Sequence, residues 1–572
     1  MAAAPEYPAT VLVITGGLLN EKETSPWRAL CKQAAQWRAS ESAWLDLKSK
    51  AVIGESIALA GWHRLVAGRR LPKEAREYFS YTENADVPEL TEVVLTTLLR
   101  TEGIPYEIAT IDDVFHNDRS MRAKIAASSL VFLSATLLRD LGEVEPILQR
   151  ILRPHHRIVL GGALASILAE AGDGISGVDV IAVGYGEILV PILAEYLRSG
   201  FNTLSAPPPV SIERRRHSVV LRSGVPASRS LDGLITPDWF GAARDHGCRF
   251  PLVHYESVRG CPYRCSFCNY PYLFDDEKFR YKSARKIADD WERYRDELGV
   301  EFISCLDSLF TMPRRRLTAL CDELVRRKIG VKWICYARAS DLAERDVAAM
   351  MRDAGAHQVQ IGIESGDPQI LINMNKQCSV EENAMALDNC RSVGLTSVVS
   401  LVVGFPGETD GSLATTYRFL HDHPPDFYVL AIFSTRVAGV PVLNEANRAR
   451  FGLHVDSNPR TVAPYWRHSS MSAADVGRHV RRLNRELIEN RVALNAATFY
   501  SGLLRYSVAQ RDALLDFQRA SVNDHPLLGH GFDLLHGWID RRLADDMARR
   551  ETEAAGDRGT DTAWHSIRWR GR

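Results

Sequence analysis

Three cysteines crowd into eight positions, Cys261-Pro-Tyr-Arg-Cys265-Ser-Phe-Cys268, just after an apolar run (Val253–Ser257) that reads as a β-strand. The C-x3-C-x2-C spacing sets three soft ligands on one short loop, a pattern for metal ligation and not for a disulfide framework. A closed zinc knuckle would need a fourth ligand. Cys248 and His254 lie upstream at intervals unsuited to a zinc ribbon, so zinc is the weaker alternative for the loop. A four-iron cluster held by three thiolates leaves one iron open, which is a catalytic arrangement.

The other totals bound the partners. At 572 residues the chain has room for three or four domains, and a net charge of -1 gives no argument for nucleic acid or an anionic membrane. The runs Arg214-Arg215-Arg216 and Arg314-Arg315-Arg316 read as solvated faces. No apolar stretch reaches 18 residues, so no membrane span is expected. The start, MAAAPEYPATVLVITGG, lacks a basic n-region and a cleavage site; with clustered thiols this predicts the reducing cytoplasm.

Periodicity predicts α/β architecture in two blocks. Residues 1–205 alternate strands (Val11–Thr15, Tyr106–Ile111, Leu130–Ser134, Arg157–Leu160, Val180–Val183) with helices such as Pro88–Glu102 and Leu141–Leu152, the mark of a Rossmann-like doubly wound sheet. A mostly helical insertion occupies about 36–86. Residues 206–245, rich in Pro, Ser and Arg, read as a linker. Residues 246–440 repeat a βα unit six times, with strands at Val253–Ser257, Phe302–Leu306, Val331–Ala337, Gln358–Ile363, Ser397–Val403 and Phe427–Phe433, which predicts a partial (β/α)6 barrel. Residues 441–572 read as a mainly helical C-terminal domain with a polar tail from Glu551.

The triad, Phe267 before its last cysteine, the strand-end segments Leu306-Asp307-Ser308-Leu309-Phe310-Thr311 and Gly362-Ile363-Glu364-Ser365-Gly366, Arg338, Asn375-Lys376 and Gly404-Phe405-Pro406-Gly407-Glu408-Thr409 together resemble the radical S-adenosylmethionine (SAM) superfamily over about 250–440. The resemblance implies that Cys261, Cys265 and Cys268 hold a 4Fe-4S cluster whose open iron chelates SAM, with an external electron donor to reduce it. It also implies that Phe267, Arg338 and Glu364 bind the ligand, Arg338 by a bidentate fork to a carboxylate and Glu364 to ribose hydroxyls or the amine.

In the first block, Ser134-Ala135-Thr136, Val159-Leu160-Gly161-Gly162 and Val183-Gly184-Tyr185-Gly186-Glu187 stand at strand ends, where small residues let a large ligand approach the backbone. The first turn, Thr15-Gly16-Gly17-Leu18-Leu19-Asn20, departs from the dinucleotide fingerprint. The order is similar to the cobalamin-binding domain of class B (cobalamin-dependent) radical SAM methyltransferases. That resemblance implies cobalamin contacts from Ser134, Thr136, Gly161, Gly162, Gly184, Tyr185, Gly186 and Glu187. His116 misses the family's D-x-H-x-x-G spacing, which implies a corrin without a histidine ligand. A docking domain with no cofactor is the alternative. In length and layout the chain further resembles the tryptophan 2-C-methylating branch of thiopeptide antibiotic biosynthesis, in which an arginine approaches the lower face of the corrin; Arg69 is the candidate here.

The function implied is methyl transfer from SAM through cobalamin to a poorly reactive carbon of a small molecule, with C2 of L-tryptophan as one candidate. The alternative is a class B cyclase or oxidase using both cofactors without net methylation. Pro464-Tyr465-Trp466-Arg467-His468 through Ser472 reads either as a cover over the barrel or as an interdomain packing loop.

Overall fold

The computed structural model describes residues 10–18, most of 42–58, 87–170, 172–273, 276–434, 437, 439–455, 465–496, 506–523 and 526–556. Arg69, with most of the insertion, and the end of the polar tail lie outside the described residues.

The first sheet is built from β1 (Val11–Thr15), β2 (Tyr106–Thr110), β3 (Leu130–Ser134), β4 (Arg157–Gly161) and β5 (Val180–Val183), closed by the hairpin β6 (Ser211–Arg214) and β7 (Val219–Arg222). Its order is β2-β1-β3-β4-β5-β7-β6, parallel except for the β6–β7 pair. The 2-1-3-4-5 core is the flavodoxin-like version of the doubly wound sheet, whose ligands sit beyond the carboxyl ends of the strands. Residues 206–245 are therefore not a linker. β7 pairs with β5 from Val180↔Val219 to Val183↔Arg222, because Val220 and Leu221 supply an apolar pair that the edge of β5 can bury.

After β8 (Leu252–Tyr255) a small ladder forms from β9 (Val258–Arg259) and β10 (Arg280–Tyr281), bracketing the cysteine loop. The barrel wall continues through β11 (Phe302–Cys305), β12 (Lys332–Arg338), β13 (Ala356–Glu364), β14 (Thr396–Val403) and β15 (Phe427–Ile432). A two-residue ladder, β16 (His454–Val455) with β17 (Trp466–Arg467), follows, and the short β18 (Leu494–Asn495) joins the wall beside β15. The wall is parallel, ordered β18-β15-β14-β13-β12-β11-β8, and open between its edges. Alternate strand residues such as Val253, Ile303, Trp333, Val359, Ile361, Val399 and Leu401 enter the core beneath the helices. That alternation leaves the opposite face, ending in Arg338 on β12, for the site.

The described C-terminal part includes the helices Val476–Glu489, Val508–Asn523 and Pro526–Gly556. The last reaches back to the insertion, where Lys48 pairs with Asp540 at 2.9 Å. Arg316 corrects the solvated-face reading of its basic run. It is 4% exposed and donates to Ser257 Oγ (3.0 Å) and Phe310 O (2.5 Å), so its charge is spent on bracing the end of β8.

Candidate active site at the cysteine loop

The loop begins at a crowded backbone. Gly260 has φ +77°, and a Cβ there would lie 2.2 Å from the carbonyl oxygen of Lys278, so only glycine fits as the chain turns into Cys261. Asp307, at the end of β11, holds the preceding residues. It accepts from Ser257 N (2.6 Å), Ser257 Oγ (2.5 Å) and Val258 N (2.7 Å), while Ser308 Oγ donates to Gly260 O at 2.7 Å. Burial pushes the Asp307 carboxyl up, and those donors together with Arg316 oppose the shift. Asp307→Ala should lower stability by about 3 kcal/mol, because it orphans two buried N–H groups. Thermal unfolding of wild type and variant measures the drop; equal melting temperatures would refute the role.

Cys265 is buried, whereas Cys261 and Cys268 are half-buried. Burial raises the Cys261 thiol and carries Cys268 to about 11. The cations of Arg338 and Lys376 pull Cys261 the other way. Ser266 anchors the middle of the loop through N–H to Met374 O (2.8 Å) and Oγ to Asn373 O (3.0 Å). Three thiols on one braced loop beside two cations suit a cluster held by thiolates, since the positive charges offset the anionic ligands.

Arg338 is committed to the loop. Its Nη1 donates to Cys265 Sγ at 3.6 Å, its Nη2 donates to the carbonyls of Lys376 and Gln377, and its guanidinium lies 3.7 Å from the centroid of Tyr263. Among the described residues, its Nε is buried without a hydrogen-bond partner. The expected free fork is thus reduced to one unused donor atom plus whatever the other amines spare. Glu364 adopts φ +64°, rare for a side chain of its size, at a register shift of β13. The shift presents its Oε1 to Lys376 Nζ at 2.8 Å, and a Cβ on Gly362 would come within 2.5 Å of that oxygen. Phe267 packs edge-on to Phe405, 6.3 Å between ring centroids. The structure therefore gathers Cys265, Phe267, Arg338 and Glu364 around one loop. Tyr263 and Lys376 belong to the group too; adjacency to the triad and to Asn375 was their sequence signal.

The Gly404 turn backs this site. Trp466 and His468 stack face to face (5.4 Å, 2°), and a Cβ on Gly404 would meet the Trp466 ring at 2.8 Å. Burial depresses His468 to about 4, and its Nε2 sits 3.2 Å from Gly404 O. On the other side Gly404 N donates to Glu408 Oε2 at 2.5 Å, and burial raises Glu408 to about 8 from its ordinary 4.5. A raised carboxyl means the folded state keeps its proton longer than the unfolded state does. Its stabilising contribution is whole below pH 4.5 and drains as pH rises to about 8. Glu408→Gln should gain on wild type across that window in thermal melts, and parallel pH profiles would exclude the effect.

At the first sheet's strand ends, Ser134 Oγ donates to Thr136 Oγ1 at 3.1 Å, and Thr136 is exposed beside Leu137, itself 55% exposed. At Gly161 a Cβ would make an ordinary contact with Ala182 O at 4.0 Å. Gly162 and Gly184 instead accommodate protein atoms: a Cβ would strike Thr136 N at 2.6 Å or Ser223 Oγ at 2.1 Å. Gly186 opens the helix Gly186–Arg198. Tyr185 and Glu187 turn toward the barrel, bonding Asp276, Arg280 and Arg259. His116 is exposed at the end of the helix Ile111–His116. Ser134, Thr136 and Gly161 thus stand together at the strand ends, Ser134 buried and Thr136 exposed, while Tyr185 and Glu187 turn away toward the barrel.

The model of the radical SAM superfamily matches residues 255–420, the span that carries the cysteine loop, Arg338 and Glu364. Residues 255–420 are a radical SAM domain. Over 322 residues the chain is 27% identical to the anaerobic magnesium-protoporphyrin IX monomethyl ester cyclase of Cereibacter sphaeroides, covering 53% of this chain and 49% of that one. The chain spans less than half the length of the curated cyclases it matches, 39% and 49%. The fold resembles the radical SAM methyltransferase TsrM of Kitasatospora setae, solved with tryptophan and a SAM analogue. The TM-score is 0.56 at 18% identity, over 82% of this chain and 98% of that one. It also resembles OxsB, a cobalamin-dependent radical SAM enzyme solved with aqua-cobalamin and SAM. There the TM-score is 0.54 at 13% identity, over 97% of this chain and 82% of that one. The radical SAM domain thus sits in the multidomain fold of those structures, between a flavodoxin-like sheet and terminal helices.

Proposed function

We propose that the protein is a cobalamin-dependent radical SAM methyltransferase acting on a small molecule. The observation that carries this reading is the juxtaposition of two sites. Tyr185 and Glu187, just past the end of β5 in the flavodoxin-like sheet, bond Asp276 and Arg259, on the two segments that flank the loop bearing Cys261, Cys265 and Cys268. When bound, the cluster with SAM would supply one-electron chemistry, and the cobalamin would supply a nucleophile able to accept and pass on a methyl group. The protein's own part is to hold the three thiols, to neutralise their charge with Arg338 and Lys376, and to fix the two sites relative to one another. Ser134, Thr136 and Gly161 are the cobalamin contacts we favour. Leu306 and Tyr336 expose apolar surface at the ends of β11 and β12, Tyr336 on the face that carries Arg338, and this suits an apolar acceptor. L-Tryptophan is the first candidate to test, given the likeness to TsrM. An external electron donor and a cytoplasmic setting fit thiolate ligands that need reducing conditions. No described helix is long and apolar enough to cross a membrane.

Anaerobically reconstituted protein should hold one four-iron cluster and about one cobalamin per chain. With SAM and tryptophan it should release S-adenosylhomocysteine and a product heavier by one methyl. Deoxyadenosine with an oxidised or cyclised product and no added methyl would favour the cyclase reading, which the cyclase relatives support. No consumption of SAM with any acceptor would refute both.

A further inference from the structure

Tyr185 and Glu187 leave their own domain. The Tyr185 hydroxyl donates to Asp276 and accepts from Arg280 Nη2 at 2.9 Å. The guanidiniums of Arg259 and Arg280 lie 4.6 and 5.3 Å from its ring centroid. Two residues on, Glu187 pairs with Arg259 Nη1, while Arg259 Nη2 reaches Glu256 at 2.8 Å. Arg259 precedes Gly260 and Cys261. The side chains of Arg280 and Asp276 are only 3% and 1% exposed, and Tyr185 is buried. Charges this deep are costly unless every one is paired, so the network tolerates little displacement of either domain. Packing alone would not require it.

We infer that Tyr185 and Glu187 are positioning residues that lock the cysteine loop to the first domain and so set the separation between a ligand at the ends of β3–β5 and the group held by the thiols. The inference rests on the two-cofactor reading above. Both side chains are engaged by Asp276, Arg259 and Arg280. Each acts through Arg259 or Arg280, whose backbones form the β9–β10 ladder on either side of the loop. A misplacement of 1 Å between reacting groups costs about 100-fold in rate.

The test uses the full chain reconstituted with iron, sulfide and cobalamin, as wild type, Tyr185→Phe, Glu187→Gln and the double variant. Cob(II)alamin and the reduced cluster are both paramagnetic, so pulsed EPR reads the distance between them. Wild type should give one narrow distance distribution and the double variant a broadened or shifted one. Iron and cobalamin content should be unchanged, and KM for SAM should stay within about twofold, while kcat for methylation of reduced cobalamin falls about 100-fold. Tyr185→Phe keeps the ring and loses only the hydroxyl, so it gives a folded comparison even if the other variants misfold. An unaltered distance and kcat would overturn the proposal. Loss of cobalamin from Tyr185→Phe or Glu187→Gln would overturn it in favour of direct cofactor contact. Wild type binding neither cofactor would refute the functional reading itself and take the proposal with it.

Discussion

Replacing any one of Cys261, Cys265 and Cys268 with alanine is expected to abolish the iron–sulfur absorbance of reconstituted protein and with it all turnover of SAM. Three thiolates are the minimum that leaves one iron open and still grips the other three, so a two-thiolate loop loses the cube instead of binding it more weakly. The rate lost is essentially the enzyme's whole enhancement, at least about 10⁶-fold, because in this reading the cluster is what supplies the one-electron chemistry. Iron content and the visible spectrum check the result. Far-UV circular dichroism should stay unchanged, since the loop is anchored by Ser266, Asp307 and Ser308 and not by its thiols alone. Full iron content in all three variants would end the assignment.

The second large effect is predicted at a residue with no side chain. Gly260→Val should prevent cluster assembly although all three cysteines remain. Its Cβ would sit 2.2 Å from the backbone oxygen of Lys278, and φ +77° is closed to a β-branched residue. The backbone oxygen cannot swing aside as a side chain would. Either the β9–β10 ladder opens or Cys261 leaves its place, and both outcomes separate the thiols. Iron content after reconstitution should fall to a small fraction of wild type. Gly299→Ala serves as a control: that glycine also has positive φ, but a Cβ there meets nothing within 4 Å, and cluster content should hold. Equal iron in Gly260→Val and wild type would show that the loop adapts.

Local order in the chain revealed a good deal. The alternation of Val359, Ile361 and Ile363 with polar neighbours marked β13, and a two-residue period survives any tertiary setting that buries one face. The triad announced a metal loop because thiol spacing is set by the ligand geometry. Cys305, Cys321, Cys335, Cys378 and Cys390, single thiols on apolar patterns, are buried; Cys31, of the same kind in sequence, lies outside the described residues. Residues 206–245 misled because Pro, Ser and Arg dominate their composition. The strand Val219–Arg222 is short, and pairing with β5 on one side and β6 on the other makes it a strand. Arg316 misled similarly: its neighbours Arg314 and Arg315 are exposed, and nothing in the run distinguishes the one that turns inward.

The glycine-rich turns divide along the same line. That Gly162 and Gly184 must be glycine was legible from their strand-end positions, but the cause was not. The atoms that fill their missing Cβ belong to Thr136 and Ser223, 26 and 39 residues away in sequence, and not to a ligand. Arg338 was legible as a cation at a strand end, and only the fold committed its guanidinium to Cys265, Tyr263 and two carbonyls. By itself, then, the linear order of residues determined the long periodic elements and which loop can hold a metal, because both depend on short-range periodicity and ligand spacing. The tertiary structure alone decided the partners of each charged side chain. Burial makes an unpaired charge too costly to leave, and the partner that satisfies it comes from wherever the fold brings the chain back.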